Sequence, residues 1–174
     1  MTATNATATT ISLIGMPGAG KSTIGVVLAK LGGLAFVDTD LDIQLKANAT
    51  LQQILEREGY RRLRAIEQEV LLAISLKRSV VATGGSVVYS EEAMARLKKS
   101  GPVVYLELDL PTLQRRVSTA PPRGIASDAG QDYAEIFAER TPLYRHYADF
   151  TINAGSGSPE ALASSILALL DGTS

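Results

Sequence analysis

The stretch Gly15 to Thr23, GMPGAGKST, sets glycines, a lysine and a hydroxyl at the spacing of a phosphate-binding loop: glycine, four residues, glycine, lysine, then serine or threonine. An apolar run precedes it and a helical pattern follows. Successive backbone N–H groups and the positive end of the helix dipole therefore converge on one anion. Gly15, Gly18 and Gly20 let the backbone approach oxygens that a side chain would obstruct, with Ala19 and Thr23 completing the loop. Lys21 can reach the β and γ phosphates of ATP, and the Ser22 hydroxyl can take a coordination position on Mg2+. A second group with chemical potential is Asp38-Thr39-Asp40, where an apolar run ends. One carboxylate can serve the metal while the other orients an acceptor hydroxyl and takes its proton, a division of labour that phosphoryl transfer needs. Acidic residues here could equally cap the next helix, as Asp40 or Asp42 could do.

The elements that must position these groups alternate along the chain. Short β-branched runs at Ile11 to Ile14, Ala35 to Val37, Val80 to Ala82, Val103 to Leu108 and Phe150 to Ile152 read as buried strands. Helical spacing marks Lys21 to Leu31, closed by Gly32 and Gly33, and Arg61 to Lys77, whose Leu63, Ile66, Val70, Leu71 and Ile74 form one stripe. Shorter helices are expected at Asp42 to Ala47, Leu51 to Glu58, Glu91 to Lys99 and Pro111 to Ser118, then at Asp132 to Tyr147 and Pro159 to Leu170. Strands separated by helices predict an α/β fold: a single three-layer domain with a five-stranded parallel sheet and helices on both faces. The segment 120–131, APPRGIASDAGQ, has no apolar periodicity and reads as a functional loop or lid.

Composition narrows the function classes. A chain of 174 residues with 45% hydrophobic content builds one core without staples. The lack of cysteine excludes thiol catalysis, disulfides and zinc-thiolate sites, and suits a reducing compartment, so a cytoplasmic protein is expected. Seventeen basic and 18 acidic residues leave a net charge of -1, which draws the chain to neither nucleic acid nor an anionic membrane. No apolar run approaches the roughly 20 residues that cross a bilayer. Residues 1–10, MTATNATATT, read as a disordered tail ahead of a domain over 11–174, without the pattern of a secretory or transit peptide. A phosphate loop alone establishes nucleotide binding, since switches and motors share it. The chain leaves no room for an effector domain, so a small-molecule acceptor and a monomer are expected.

From Ile11 to Leu170 the sequence resembles the shikimate kinase family. The GMPGAGKST loop, the Asp38-Thr39-Asp40 pair, the arginine of LRAIE, a glycine pair after the third strand and RTPLYR occur in that family's order. The resemblance implies ATP-dependent phosphorylation of shikimate to shikimate 3-phosphate, a step toward the aromatic amino acids. It implies that Asp38 serves magnesium through water, that Asp40 orients the substrate hydroxyl, and that Arg64 and Arg140 hold a carboxylate, with Glu67 supporting Arg64. It further implies that Gly84 and Gly85 meet the substrate through their backbone and that Arg123 in the lid reaches the transferring phosphate. Arg116 and Pro159 are implied to flank the adenine. Two departures fall near the acceptor: Thr83 replaces the first glycine of a triplet, and the lid arginine is followed by Gly124, Ile125 and Ala126. A kinase of another small hydroxy acid such as homoserine, or a non-catalytic nucleotide-binding protein, therefore stand as alternatives.

Overall fold

A computed structural model describes residues 9–128 and 130–172. Residues 1–8 of the expected tail lie outside the described residues, as does Ala129 in the expected lid. Thr10, grouped with the tail on sequence grounds, is buried, and its N–H donates to the Ser100 carbonyl at 3.2 Å.

Five strands form one parallel sheet in the order β2-β3-β1-β4-β5. They are β1 (Ile11–Ile14), β2 (Ala35–Asp38), β3 (Ser79–Ala82), β4 (Val103–Glu107) and β5 (Phe150–Asn153). The central strands are buried on both faces, which is why their sequences run apolar without alternation. Leu13 pairs in register with Ala82 on one side and Val104 on the other, so β1 and the loop that follows it stand mid-sheet. Asp38 pairs with Ala82, which brings the end of β2 level with the end of β3. Open parallel sheets bind ligands at this carboxyl edge.

The helices are α1 (Lys21–Gly32), α2 (Thr39–Ala47), α3 (Leu51–Ala73), α4 (Glu91–Ser100), α5 (Leu110–Thr119), α6 (Tyr133–Tyr147) and α7 (Pro159–Asp171). Gly33 ends α1 in the left-handed conformation, its N–H donating to the Ala29 carbonyl. A capping box at Thr50 and Gln53 starts α3, and Gly59 (φ 80, ψ 171) breaks it, so the two helices expected over 51–58 and 61–77 meet at one kink. The second of them stops at Ala73 rather than Lys77, because the chain turns through Arg78 at φ 45 to enter β3.

Two apolar clusters hold these layers. The larger joins the sheet to α1, α4 and α7, and each fully buried Leu or Ile in it contributes about 1.5–3 kcal/mol. The smaller lies under α2 and α3, from Ile43, Ile54, Leu63, Ile66 and Val70, and it includes Ala126 of the irregular segment. That segment is therefore anchored by its own apolar side chains to the helices it covers. Among the described residues no helix is long and apolar enough to cross a membrane.

Candidate active site

The phosphate loop occupies the turn between β1 and α1. Gly15 has φ +148, and a Cβ there would sit 2.9 Å from the Leu106 carbonyl, so only glycine lets the loop leave the sheet at this point. Ala19 is buried behind the loop, and its N–H donates to the Met16 carbonyl at 3.1 Å. Lys21 is buried and folded under the loop, where Nζ donates to the carbonyls of Gly15 (2.7 Å) and Met16 (2.9 Å). Burial lowers its pKa to about 8, against the opposing pull of Asp40. Outside the loop lies a cavity of about 590 Å³ walled by Gly18, Gly20, Ser22, Thr23, Arg116 and Pro159. Arg116 also reaches the loop, donating from Nη1 to the Gly18 carbonyl at 3.3 Å. A volume of this size suits a nucleotide.

Beside the loop stands the acidic tip of β2. Ser22 Oγ donates to Asp38 Oδ2 at 2.6 Å, and Asp38 Oδ1 accepts from the Asp40 N–H at 3.0 Å. Asp38 is thus the cap of α2, which begins at Thr39. The expected helix start at Asp42 is corrected to Thr39, since the Asp38 carboxylate satisfies the free Asp40 N–H in the first turn. A hydroxyl and a carboxylate in contact are hard oxygen donors of the kind magnesium takes together with phosphate oxygens. Among the described residues no group of three or more His, Cys, Asp or Glu could hold a metal by itself. Asp40 lines a small cavity of about 60 Å³ with Lys21, Glu67, Gly84, Gly85 and Arg140, and also borders the side where Asp38 and Ser22 stand. Burial raises its pKa, and the neighbouring Asp38 raises it further. Ser22 and Arg123 line both this cavity and the larger one, so they stand where the two meet.

Residues 123–126 of the irregular segment line the small cavity. Ala126 is buried, and its carbonyl accepts from Arg64 Nη2 at 3.1 Å and from Arg140 Nη2 at 2.6 Å. Two guanidinium groups from two helices therefore point at one oxygen. Arg140 is only 1% exposed. Neither arginine forms an ion pair among the described residues, and Nε of each is buried without a hydrogen-bond partner. Arg64 lines a neighbouring cavity of about 310 Å³ and meets the smaller one only through the Ala126 carbonyl. Glu67, expected beside Arg64, turns instead to Ser86 Oγ, which donates to its Oε2 in a short hydrogen bond. Burial drives the Glu67 pKa up to about 7.

Thr83 lines the small cavity, with its hydroxyl directed to the sheet. Its hydroxyl donates to the Leu13 carbonyl at 2.9 Å and its N–H to the same oxygen at 3.2 Å, so the side chain is spent on the sheet. The glycines that matter are the next two. A Cβ on Gly84 would lie 3.0 Å from Glu67 Cδ, closer still to Oε1, and 3.3 Å from Asp40 Oδ1. One on Gly85 would lie 2.8 Å from Pro17 and 3.1 Å from Arg140 Nη1.

Sequence reasoning passed over three tyrosines that fix this geometry. Tyr144 donates to the Gly85 carbonyl at 2.5 Å while its ring stacks on Tyr105, with centroids 5.2 Å apart. Tyr133 donates to the Pro17 carbonyl at 2.5 Å, tying α6 to the phosphate loop. Tyr89 lies against both Arg64 and Arg140. RTPLYR contains Tyr144 and could have pointed to it; the other two carry no local signal.

A parallel sheet with a phosphate loop leaving its middle strand, a nucleotide-sized cavity on one side and a small pocket of mixed charge around Asp40 on the other, defines a P-loop kinase of small molecules. The chain belongs to the shikimate kinase family, whose family model matches residues 17–171. It is 36% identical over 165 residues to shikimate kinase 2 of Enterobacter sp. (strain 638), covering 92% of this chain and 94% of that one. It is 37% identical over 159 residues to shikimate kinase of Nitrosospira multiformis, covering 90% and 82%. The structure superposes with a TM-score of 0.86 on shikimate kinase from Acinetobacter baumannii in complex with shikimate, at 34% identity over 97% of this chain and 96% of that one.

Proposed function

We infer that the protein is an ATP-dependent kinase that phosphorylates a hydroxyl of shikimate to give shikimate 3-phosphate. The observation that carries the acceptor assignment is the convergence of Arg64 and Arg140 on the carbonyl of Ala126, a residue that lines the Asp40 pocket. Paired guanidinium forks suit both oxygens of a carboxylate, and shikimate brings a carboxylate and hydroxyls on one ring. Thr83 lines this pocket but spends its hydroxyl on the Leu13 carbonyl, so it adds no polar group that would select a different acid such as homoserine.

ATP binds along Gly18, Gly20, Ser22 and Thr23, with its adenine between Arg116 and Pro159. Lys21 exchanges the Gly15 and Met16 carbonyls for phosphate oxygens, which favour its charged form. Magnesium, held by Ser22 with Asp38 orienting its water, would neutralise charge on the phosphates. Asp40, its basicity increased by burial, receives the proton of the reacting hydroxyl. Gly84 and Gly85 give the acceptor ring room at the cavity wall, with the Gly84 N–H held by Thr39 Oγ1 at 3.1 Å. Arg123, at the junction of the two cavities, stabilises the negative charge of the moving phosphoryl group.

The segment 120–131 acts as a lid. A cavity of about 60 Å³ holds only about two waters at liquid density, so the lid lifts to admit the acid and closes behind it to exclude water. An enzyme that consumes ATP in this way belongs in the cytoplasm.

ADP release from purified protein with ATP and Mg2+, across a panel of hydroxy acids, tests the assignment. Saturable turnover with shikimate and none with homoserine is expected. Turnover of homoserine without shikimate would overturn the substrate, and tight nucleotide binding without turnover of any acid would overturn the activity.

A further inference from the structure

We propose that Tyr89 is a positioning residue for acceptor specificity: its ring holds the Arg64 and Arg140 guanidinium groups in the orientation that captures a carboxylate. The inference rests on the reading of those arginines as the carboxylate site.

Tyr89 ends a single 3-10 turn, Val87–Tyr89, between β3 and α4. Val87 and Val88 are buried beneath it, and Ser90 caps α4 with Oγ accepting from the Ala93 N–H at 3.1 Å. The turn is thus pinned on both sides. The Tyr89 ring centroid lies 3.8 Å from Arg64 Cζ and 5.4 Å from Arg140 Cζ. Its hydroxyl donates to Glu139 Oε1 in a short hydrogen bond, and Glu139 Oε2 accepts from Gln131 Nε2 at 2.9 Å. One aromatic side chain therefore touches both arginines and is linked through Glu139 to the far end of the lid.

The chemistry favours a ring at this place. Two guanidinium groups sharing one target repel each other and need support. A carboxylate in ion pairing would supply it, but would also compete with the acceptor for the same donors. An aromatic face offers negative charge density through its quadrupole without a formal charge, and the Glu139 carboxylate behind the Tyr89 hydroxyl acts on both arginines without pairing with either. Arg64 also lies over the Tyr60 ring at 5.0 Å, so Tyr89 is the ring that the two arginines share.

The experiment compares shikimate with its uncharged methyl ester in wild-type protein and in Tyr89→Phe, Tyr89→Leu and Tyr89→Gln. Losing guanidinium–ring contacts of ordinary strength changes binding by about threefold to thirtyfold. Tyr89→Leu and Tyr89→Gln should raise KM for shikimate by that factor, leave KM for ATP unchanged and hold kcat near wild type. Preference for acid over ester should shrink by the same factor, and Tyr89→Phe should restore it. A parallel loss of kcat and both KM values, or undiminished preference for acid in Tyr89→Leu or Tyr89→Gln, overturns the proposal. So does a Tyr89→Phe variant as impaired as the other two, because the hydroxyl and not the ring would then be the active part. Should both non-aromatic variants fail to fold, the Tyr89→Phe comparison still decides between ring and hydroxyl, and loss of acid preference there overturns the ring's role. Equal use of acid and ester by the wild type would overturn the carboxylate site itself, a separate failure.

Discussion

Gly84→Ala isolates one steric contact at the acceptor pocket. Gly84 is not in the left-handed region, so the added methyl brings no backbone strain and its cost comes from what it meets. It would press on the Glu67 carboxylate, 3.0 Å from Cδ, and stand 3.3 Å from Asp40 Oδ1. Glu67 cannot swing aside easily, because it is buried and bonded to Ser86. Overpacking a site that yields only partly costs about 1–3 kcal/mol, or ~2–12 °C in Tm for a chain of this size. Shortening the obstruction should relieve it: Glu67→Asp withdraws the carboxylate by about 1.5 Å, one carbon–carbon bond. Urea unfolding of the two single variants and the double variant measures the coupling, which should recover about 1–3 kcal/mol. KM for shikimate should rise in Gly84→Ala and fall back in the double variant. Additivity within about 0.5 kcal/mol, or a Gly84→Ala protein as stable as wild type, would refute the assigned contact.

Other outcomes follow from the same geometry. Lys21→Ala should lower kcat by roughly 10²–10³ while the protein still folds, since it removes a preorganised donor to developing charge; steady-state rates and far-UV circular dichroism check both. Asp40→Asn should lower kcat by roughly 10²–10⁴ by removing the proton acceptor, measured by single-turnover phosphoryl transfer. Glu67 has its ordinary value of 4.5 raised to about 7, so the folded chain binds more protons between these limits. Its contribution to stability is full below about 4.5 and lost as pH rises through about 7, and Glu67→Gln should flatten the fall in Tm between pH 5 and 8. Gly124→Ala would push a methyl to 2.6 Å from the Leu51 backbone, unseating the lid; trypsin should then cleave after Arg123 several times faster, and unchanged cleavage would contradict the seating.

The order of elements and the phosphate loop were legible because both are written locally. Strand runs buried on both faces, Gly33 as a cap, and the Gly59 break between two helical patterns all show in neighbouring residues. The start of α2 was misread because Asp38-Thr39-Asp40 looks like a strand tip, while the carboxylate that ends the strand also caps the helix. Thr83 illustrates a different limit. Its β-branched side chain suggested a changed pocket, but only the strand pairing reveals that the hydroxyl belongs to Leu13. The Arg64 and Arg140 pair came from resemblance, since no spacing joins residues on α3 and α6. Their shared partner is a main-chain carbonyl, for which a side-chain pattern holds no trace.

That shared carbonyl has a thermodynamic consequence. While Ala126 occupies both guanidinium groups, an arriving acid replaces an internal rival instead of filling vacant donors. Apparent affinity is then the intrinsic affinity multiplied by the fraction of molecules whose rival has withdrawn, so a tenth withdrawn means tenfold weaker capture. Substitutions at Gly124 or Ile125, which line the same cavity, shift that fraction, so acceptor KM can be retuned through the withdrawal of the rival as well as through direct contact.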